Sequence, residues 1–480
     1  MQIKIHDCDV HLTNLRTRMP FKYGIATMTR MPMAFVRARV EVDGKPFTGI
    51  AADLLPPKWF TKDPAKPLRD EVLEMLNVIE QAKRLAIGLR GDSAFAVWRQ
   101  LYEAQRSAGK AENLPPLLTN FGVSLVERAL IEAVCRAAGR PFAEMVHANH
   151  LGIQLDSIHP SLRGLTPGEL LPAIPLGTII ARHTVGLGDP LTDADIPPAE
   201  RLTDGLPQSH AASIQAYGLR HFKIKINGHL EQDIDRLHRL AALIEQLAPA
   251  DYAFSLDGNE QFKSLADFHI FWETFRHSDK LQSFLKHLYF VEQPLHRTVA
   301  LEETVGEDFR KWSARPPVII DESDATLDSL PIALRLGYVG TSHKNCKGIF
   351  KGLANRCLLL HRQQQEPSRR LLMSGEDLCN LGPVALLQDL AVMATLGVTS
   401  VERNGHHYCA GLSLFPKAVQ EQTLAAHGDL YHRSTDGWPT VNIRDGKIQI
   451  ASLNVAPFGV GFALDVEQFM PAEKWRSGLV

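Results

Sequence analysis

From about Gly177 onward the chain repeats one unit eight times: a short apolar run, then a stretch with helical periodicity. The runs fall at 178–181, 222–226, 252–256, 289–291, 318–320, 339–342, 371–373 and 399–401. Short apolar runs separated by helical segments are the pattern of parallel strands joined by crossover helices. Eight such units are the number that closes a (β/α)₈ barrel. A doubly wound open sheet is the alternative, but no GxGxxG phosphate loop supports it.

The first 150 residues read differently. Positions 33–42 alternate apolar and polar, Asp43-Gly44-Lys45 makes a turn, and 47–51 resume the alternation, which is a strong hairpin signal. From Pro67 to about Gly139 the period becomes helical, with Val72, Met75, Leu76 and Ile79 on one face and Val126, Leu130, Ile131 and Val134 on another. This is an α+β unit ahead of the barrel. Residues 189–208, rich in Pro, Asp and Gly, read as an inserted surface loop, and short strands return around Asp445-Gly446.

A net charge of −2 gives no reason to expect nucleic acid or an anionic membrane as partner. The six cysteines are scattered without a CxxC pair, so reduced thiols are expected rather than a zinc ribbon or a disulfide framework. With no apolar run of signal-peptide or membrane-span length, the expected location is cytoplasmic.

Chemistry concentrates at the ends of the apolar runs. In His221-Phe222-Lys223-Ile224-Lys225-Ile226, strand alternation turns Phe222, Ile224 and Ile226 to one face and Lys223 and Lys225 to the other, into the barrel. Two interior lysines are costly unless solvated or paired. A solvated edge strand with alternating charges is the plainer alternative. The next three runs each end in a carboxylate: Asp257 before Gly258-Asn259, Glu292 before Gln293-Pro294, and Asp321 before Glu322-Ser323. Any one of these acids alone reads as a helix N-cap. Three on consecutive strands, 35 and 29 residues apart, would instead converge at one barrel mouth as a hard-cation site suited to Mg²⁺. One unit further on, Lys344 would face Lys225 across that mouth; Lys347 lies farther into its loop, and a basic loop opening a helix is the plain alternative for both.

The set Lys223-x-Lys225, Asp257-x-Asn259, Glu292-Gln293-Pro294, Asp321-Glu322-Ser323 and Lys344 resembles the enolase superfamily. Within it, the pattern is similar to the muconate-lactonizing subgroup of the mandelate racemase/muconate lactonizing enzyme family. The resemblance covers most of the chain. It implies a modified TIM (β/α)₈ barrel at 151–415, an α+β capping domain at 1–150, and a C-terminal segment at 416–480 rejoining the cap. It implies Asp257, Glu292 and Asp321 as ligands of one Mg²⁺ per subunit, and Lys225 and Lys344 as the acid/base pair. No His-Asp dyad is apparent near the seventh strand, which reads Met373-Ser374-Gly375-Glu376-Asp377.

The reaction implied is removal of the proton next to a substrate carboxylate, with Mg²⁺ and Lys223 stabilising the enediolate. Racemisation, epimerisation or cycloisomerisation would follow; dehydration of an acid sugar on the same scaffold is the alternative. A Schiff-base aldolase and a non-catalytic ligand-binding barrel rank below both. Substrate contacts are expected from Lys223, Asn259, Glu402 and Tyr23, the last in a mobile cap loop at 21–26. The rest of the polar stretch from Glu402 to Tyr408 reads as a solvated loop, and the adjacent His406 and His407 are not spaced as metal ligands. The expected partner is a small-molecule carboxylate, with the chain assembled as a homo-oligomer.

Overall fold

The computed structural model describes residues 1–478. The cap is built on a long antiparallel hairpin, β1 (Ile3–Tyr23) and β2 (Ala26–Val42), with β3 (Lys45–Leu54) beside β2 and the two-residue β4 (Arg90–Gly91) beside β1. Asp43 and Gly44 both take positive φ in the β2–β3 turn, as the Asp-Gly signal requires. The segment at 21–26 is not a separate loop. Tyr23 pairs with Ala26, and Gly24, at φ 49°, turns the chain in two residues, so this segment is the strand-paired tip of the first hairpin.

Three helices pack on this sheet: α1 (Leu68–Ala86), α2 (Ala94–Ala111) and α3 (Pro116–Ala138). Every residue of α3 from Leu117 to Cys135 is buried, because the helix is sandwiched between the cap sheet and the barrel. A Cβ on Gly49 would sit 1.9 Å from the carbonyl oxygen of Ala129, so only glycine lets β3 approach α3 this closely. Buried Arg128 of α3 is answered by β3: it donates to Asp53 at 2.7 Å and to the Ala52 carbonyl at 2.9 Å.

The eight runs form eight parallel strands: β5 (Thr178–Val185), β6 (His221–Lys225), β7 (Ala253–Asp257), β8 (Leu288–Glu292), β9 (Val318–Ile320), β10 (Gly340–His343), β11 (Leu372–Gly375) and β12 (Ser400–Arg403). β12 pairs in parallel with β5, which closes the barrel. The fold is therefore a modified (β/α)₈ barrel with an α+β cap. Beyond β13 (Tyr431–Arg433) and β14 (Pro439–Val441), the hairpin of β15 (Ile443–Arg444) and β16 (Lys447–Gln449) pairs with the start of β5. Among the described residues of this segment, only β17 (Met470–Pro471) returns to the cap sheet, against His11 and Leu12 of β1. The insertion at 189–208 runs over the surface and is tied to the cap by Arg18, which donates to both Asp204 oxygens at 2.6 and 2.7 Å. All six cysteines are free and buried, and no helix among the described residues is long and apolar enough to cross a membrane.

Candidate active site

Strand register builds the site. Lys225, Asp257 and Glu292 are paired neighbours on β6, β7 and β8, so three interior positions line up in one row at the strands' C-terminal ends. Phe222 packs outward against the ring of His210, while Lys223 and Lys225 turn inward. Neither lysine is solvated; both are paired. Lys223 Nζ lies 2.9 Å from Asp257, 2.9 Å from Glu292 and 3.0 Å from Glu402, and it also donates to Glu376. Lys225 Nζ donates to Asp257 Oδ2 at 2.5 Å.

Opposite them, Asp321 follows β9. Its carboxylate accepts from Lys344 and from Ser342 Oγ, and Lys347 Nζ lies 2.7 Å from Oδ1. The two sixth-strand lysines differ in what they face. Lys344 lines the cavity at the barrel mouth, whereas Lys347 Nζ is spent on the Asp321 carbonyl and Ser342 Oγ, both at 2.8 Å, beneath Asp321. His343 points away, against the helix Ile349–Gln365, where a Cβ on Gly352 would lie 2.2 Å from its ring.

Two acids besides Asp257, Glu292 and Asp321 belong to the cluster, and one of them, Glu376, lies outside the sequence-derived set. Glu376, just after β11, takes hydrogen bonds from Arg182 at 2.7 Å and Ser374 at 2.6 Å besides that from Lys223. Glu292, Asp321 and Glu376 each bring a carboxylate oxygen within 4.8 Å of the others. Asp257 joins them through the shared Lys223 ammonium. Glu376 stands three residues past the seventh run, whereas Asp257, Glu292 and Asp321 come directly after theirs, so the pattern points to it only loosely. Glu402, a sequence-derived contact, ends β12 and accepts from Thr184 at 2.7 Å.

The backbone around the acids is bent into place. Asn259, Glu260 and Gln293 all take positive φ, a conformation non-glycine residues adopt at a cost, and one that gathers at functional sites. Gln293 turns its side chain across to the next loop, where its Oε1 accepts from the Asp321 amide at 2.8 Å. Asn259 N–H donates to Asp257 Oδ1 at 2.8 Å, and Asn259 Oδ1 is buried with no hydrogen-bond partner.

Above the cluster is a cavity of about 410 Å³, open mouth included. Lys223, Lys225, Lys344, Asn259, Glu402 and Tyr23 all line it. Its upper wall comes from the cap: Phe21, Tyr23, Met28, Pro56 and Trp59. The Tyr23 hydroxyl is already committed to the Pro57 carbonyl at 2.8 Å, so this residue offers its ring to a ligand rather than its hydroxyl. Trp59, which no sequence pattern singled out, covers Lys344.

Charge is unevenly compensated. Burial would raise the Asp257, Asp321 and Glu402 carboxyls, but the lysines beside them hold all three below the usual range. Glu292 goes the other way: burial, then Asp257 and Glu376, push it well above. Its Oε2 is buried and accepts no hydrogen bond, although Lys223 Nζ lies 2.9 Å away. The converging carboxylate oxygens of Glu292, Asp321 and Glu376 form a donor set that fits a hard divalent cation such as Mg²⁺. Burial would also lower Lys223 and Lys344, but the surrounding carboxylates hold both ammonium groups well above the usual lysine range.

The stretch after Glu402 is not a solvated loop. Gly405–Tyr408 is a short buried helix, and His406 and His407 pack with His183 and His210 in a cluster where each ring is at most 4% exposed. His183 Nδ1 and His406 Nε2 lie 3.0 Å apart, and the His183 and His210 rings stack at 5.3 Å. Burial pushes all four well below the usual imidazole range, so they serve as neutral aromatic core. Arg403 is ion-paired instead, 2.7 Å from Asp377 and 3.8 Å from Asp389.

No family model matches this chain, and no curated protein does. Solved structures do match over nearly full length. Muconate lactonizing enzyme from Pseudomonas fluorescens, complexed with muconolactone, is 16% identical at a TM-score of 0.60, covering 97% of this chain and 98% of its own. An enolase from Bradyrhizobium, complexed with magnesium and mandelic acid, is 15% identical at 0.58, covering 98% and 99%. Dipeptide epimerase from Enterococcus faecalis, complexed with Mg and a dipeptide, is 15% identical at 0.56, covering 94% and 99%. At such identities the likeness is one of fold: a capped barrel of the same extent.

Proposed function

We propose that this chain is a Mg²⁺-dependent enzyme of the enolase superfamily that moves the proton on the carbon next to a substrate carboxylate, with racemisation, epimerisation or cycloisomerisation as the outcome. One observation carries the reading. Lys225 and Lys344 extend from β6 and β10, four strands apart in a ring of eight, and line the same cavity from opposite sides. Two lysine side chains so placed can address the two faces of one planar carbon.

Asp257, Glu292 and Asp321 would hold the cation, with Glu376 in reach. When bound, Mg²⁺ supplies neutralisation of the charge that builds on the substrate carboxylate as the proton leaves. The remaining work falls to this chain's own side chains. Lys223 holds the acids together and presents positive charge at the cavity floor. Lys225 takes or returns the proton on one face of the α-carbon, and Lys344 does so on the other. Asn259 offers its unpartnered Oδ1 to a substrate donor, and the cap residues exclude water. That solved neighbours hold muconolactone, mandelic acid and a dipeptide supports a small carboxylate as substrate here.

The wall of Phe21, Met28, Pro56 and Trp59 disfavours the acid-sugar dehydratase alternative, because sugar hydroxyls would be desolvated there without partners. A Schiff-base role is disfavoured because that chemistry has no use for the converging carboxylates of Glu292, Asp321 and Glu376. The test is solvent exchange. The enzyme is incubated in D₂O with Mg²⁺ and a panel of N-acyl amino acids, dipeptides and 2-aryl-2-hydroxy acids, and α-deuteration is followed by NMR. Exchange that stops with EDTA and returns with Mg²⁺ is expected; exchange indifferent to chelation would overturn the reading.

A further inference from the structure

A second cavity, about 890 Å³ with its open mouth included, lies where α2 and α3 meet the loop after β9. None of its lining residues lines the candidate active site. Two polar residues sit deep in it, Tyr102 and Asn120, each 5% exposed. Asn120 Nδ2 donates to the Lys347 carbonyl at 2.7 Å, which fixes the amide's orientation. Its Oδ1 is then left buried with no hydrogen-bond partner. A buried acceptor left unmet is destabilising, so a donor placed there gains more than an ordinary surface contact.

The middle of the cavity is apolar, walled by Leu114, Val123 and Ala325. The rim is cationic. Arg106 gives Nε and Nη2 to Glu103, and Lys110 has no ion-pair partner among the described residues. Read from floor to rim, the cavity presents a hydrogen-bond acceptor, an apolar slot and positive charge.

We propose that this cavity is a second ligand site, for a small amphipathic carboxylate with a hydroxyl or N–H donor opposite its acid group. The donor meets Asn120 Oδ1, a ring fills the slot, and the carboxylate lies between Arg106 and Lys110.

The probe is 4-hydroxyphenylacetate, titrated calorimetrically into the full chain, with phenylacetate as the analogue lacking the donor. Binding of either carboxylate in the principal cavity is common to all variants, so the site appears as a difference between them. The Arg106→Glu/Lys110→Glu chain should lose at least about tenfold in affinity for one binding event, the scale of lost charge-assisted contacts. Val123→Phe, which fills the slot, should remove the same event. Phenylacetate should bind there about fivefold or more weakly than its hydroxylated partner, because Asn120 stays unmet. Arg106 and Lys110 lie at the rim, so their reversal leaves the fold intact even if Val123→Phe does not. Identical isotherms for wild type and the charge-reversed chain, with or without heat, would overturn the site. Equal affinity for the two probes would overturn the assigned chemistry.

Discussion

The Nζ of Lys344 lies 4.8 Å from the centroid of the Trp59 ring, so a cap residue sits on a cation of the barrel. The contact is braced from the barrel side. Arg297, just after β8, donates to the carbonyls of Trp59 and Phe60 at 2.8 and 2.9 Å and is itself gripped by Glu260. Lys62 completes the clamp, 2.7 Å from Glu260. The upper wall of the cavity is thus held by loops that also carry the acids.

Removing that indole should weaken catalysis without unfolding the chain. A desolvated cation–π contact is worth up to about 2 kcal/mol, so Trp59→Leu should lower kcat/KM by about tenfold. Trp59→Phe should recover part of the loss. Steady-state kinetics beside a thermal melt checks this; a melt that collapses together with activity would assign Trp59 to folding instead.

The metal reading predicts unequal carboxylates. Asp257, Glu292 and Asp321 stand at the ends of three consecutive strands, whereas Glu376 lies two strands further round and is already ion-paired to Arg182 as well as Lys223. Glu292→Gln, Asp257→Asn and Asp321→Asn should each weaken Mg²⁺ binding by about a hundredfold, and Glu376→Gln by about tenfold or less. Calorimetric titration with Mg²⁺ measures both. Equal losses at Glu376 and Asp257 would move Glu376 into the ligand set.

The buried imidazoles make stability depend on pH in a way one substitution can isolate. Burial pushes His183 down to about 3, against about 6.5 in an unfolded chain. The unfolded state therefore binds a proton that the folded state refuses, and stability falls as pH drops below about 6.5. Asp389 acts with the opposite sign, since burial pushes it up to about 8, so the whole-protein curve mixes the two. His183→Phe keeps an aromatic ring and removes one titration. Between pH 7.5 and 5 the wild type should lose about 2 kcal/mol more stability than this variant, at 1.36 kcal/mol per pH unit below 6.5. Urea unfolding at the two pH values measures the difference, and parallel curves would contradict it.

Much of this architecture was legible because it is periodic. Seven of the barrel strands fall within two residues of the apolar runs, β5 extends four residues past its run, and strand alternation alone turns Lys223 and Lys225 inward. The spacing of Asp257, Glu292 and Asp321 carried their convergence, since parallel strands repeat at nearly constant chain length. Trp59 and Arg182 were not legible. Each owes its place to packing between segments far apart in sequence, and neither sits in a local pattern. The stretch from Gly405 to Tyr408 misled because its polarity reads as solvation, yet a histidine buried in its neutral form packs as an aromatic. The hairpin around Asp445-Gly446 was recognised as a hairpin, but local turn chemistry does not specify which sheet edge receives it; it pairs with β5.

The last residues hold the cap by a few identifiable contacts. Phe469 stacks on Phe35 at 4.3 Å, Glu467 meets Arg37 at 2.7 Å, and the Trp475 indole donates to Asn14 at 2.9 Å. Truncation before residue 465 leaves the β15–β16 hairpin on the barrel and removes these contacts together with the β17 pairing to His11 and Leu12 and the Arg476–Asn77 hydrogen bond. Amide protection along β1 near His11 to Asn14 should then fall, while β5 to β12 stay protected in hydrogen exchange. Unchanged protection of β1 would separate the C-terminal segment from the cap.

The two lysines should be distinguishable by stereochemistry. Lys225 and Lys344 approach the cavity from opposite strands, so each can reach only the α-proton on its own side. Lys225→Ala should abolish deuterium exchange from one configuration of a substrate and Lys344→Ala from the other, each by about 10²–10⁴ in rate, the usual cost of losing a general acid or base. Exchange from the retained configuration should continue, because the remaining lysine and the acid cluster are intact. Lys347→Ala should behave differently. Its ammonium supports Asp321 from beneath and does not line the cavity, so both configurations should slow together and Mg²⁺ affinity should fall with them. If both Lys225→Ala and Lys344→Ala kept near-native exchange from both configurations, the two-sided mechanism would be wrong.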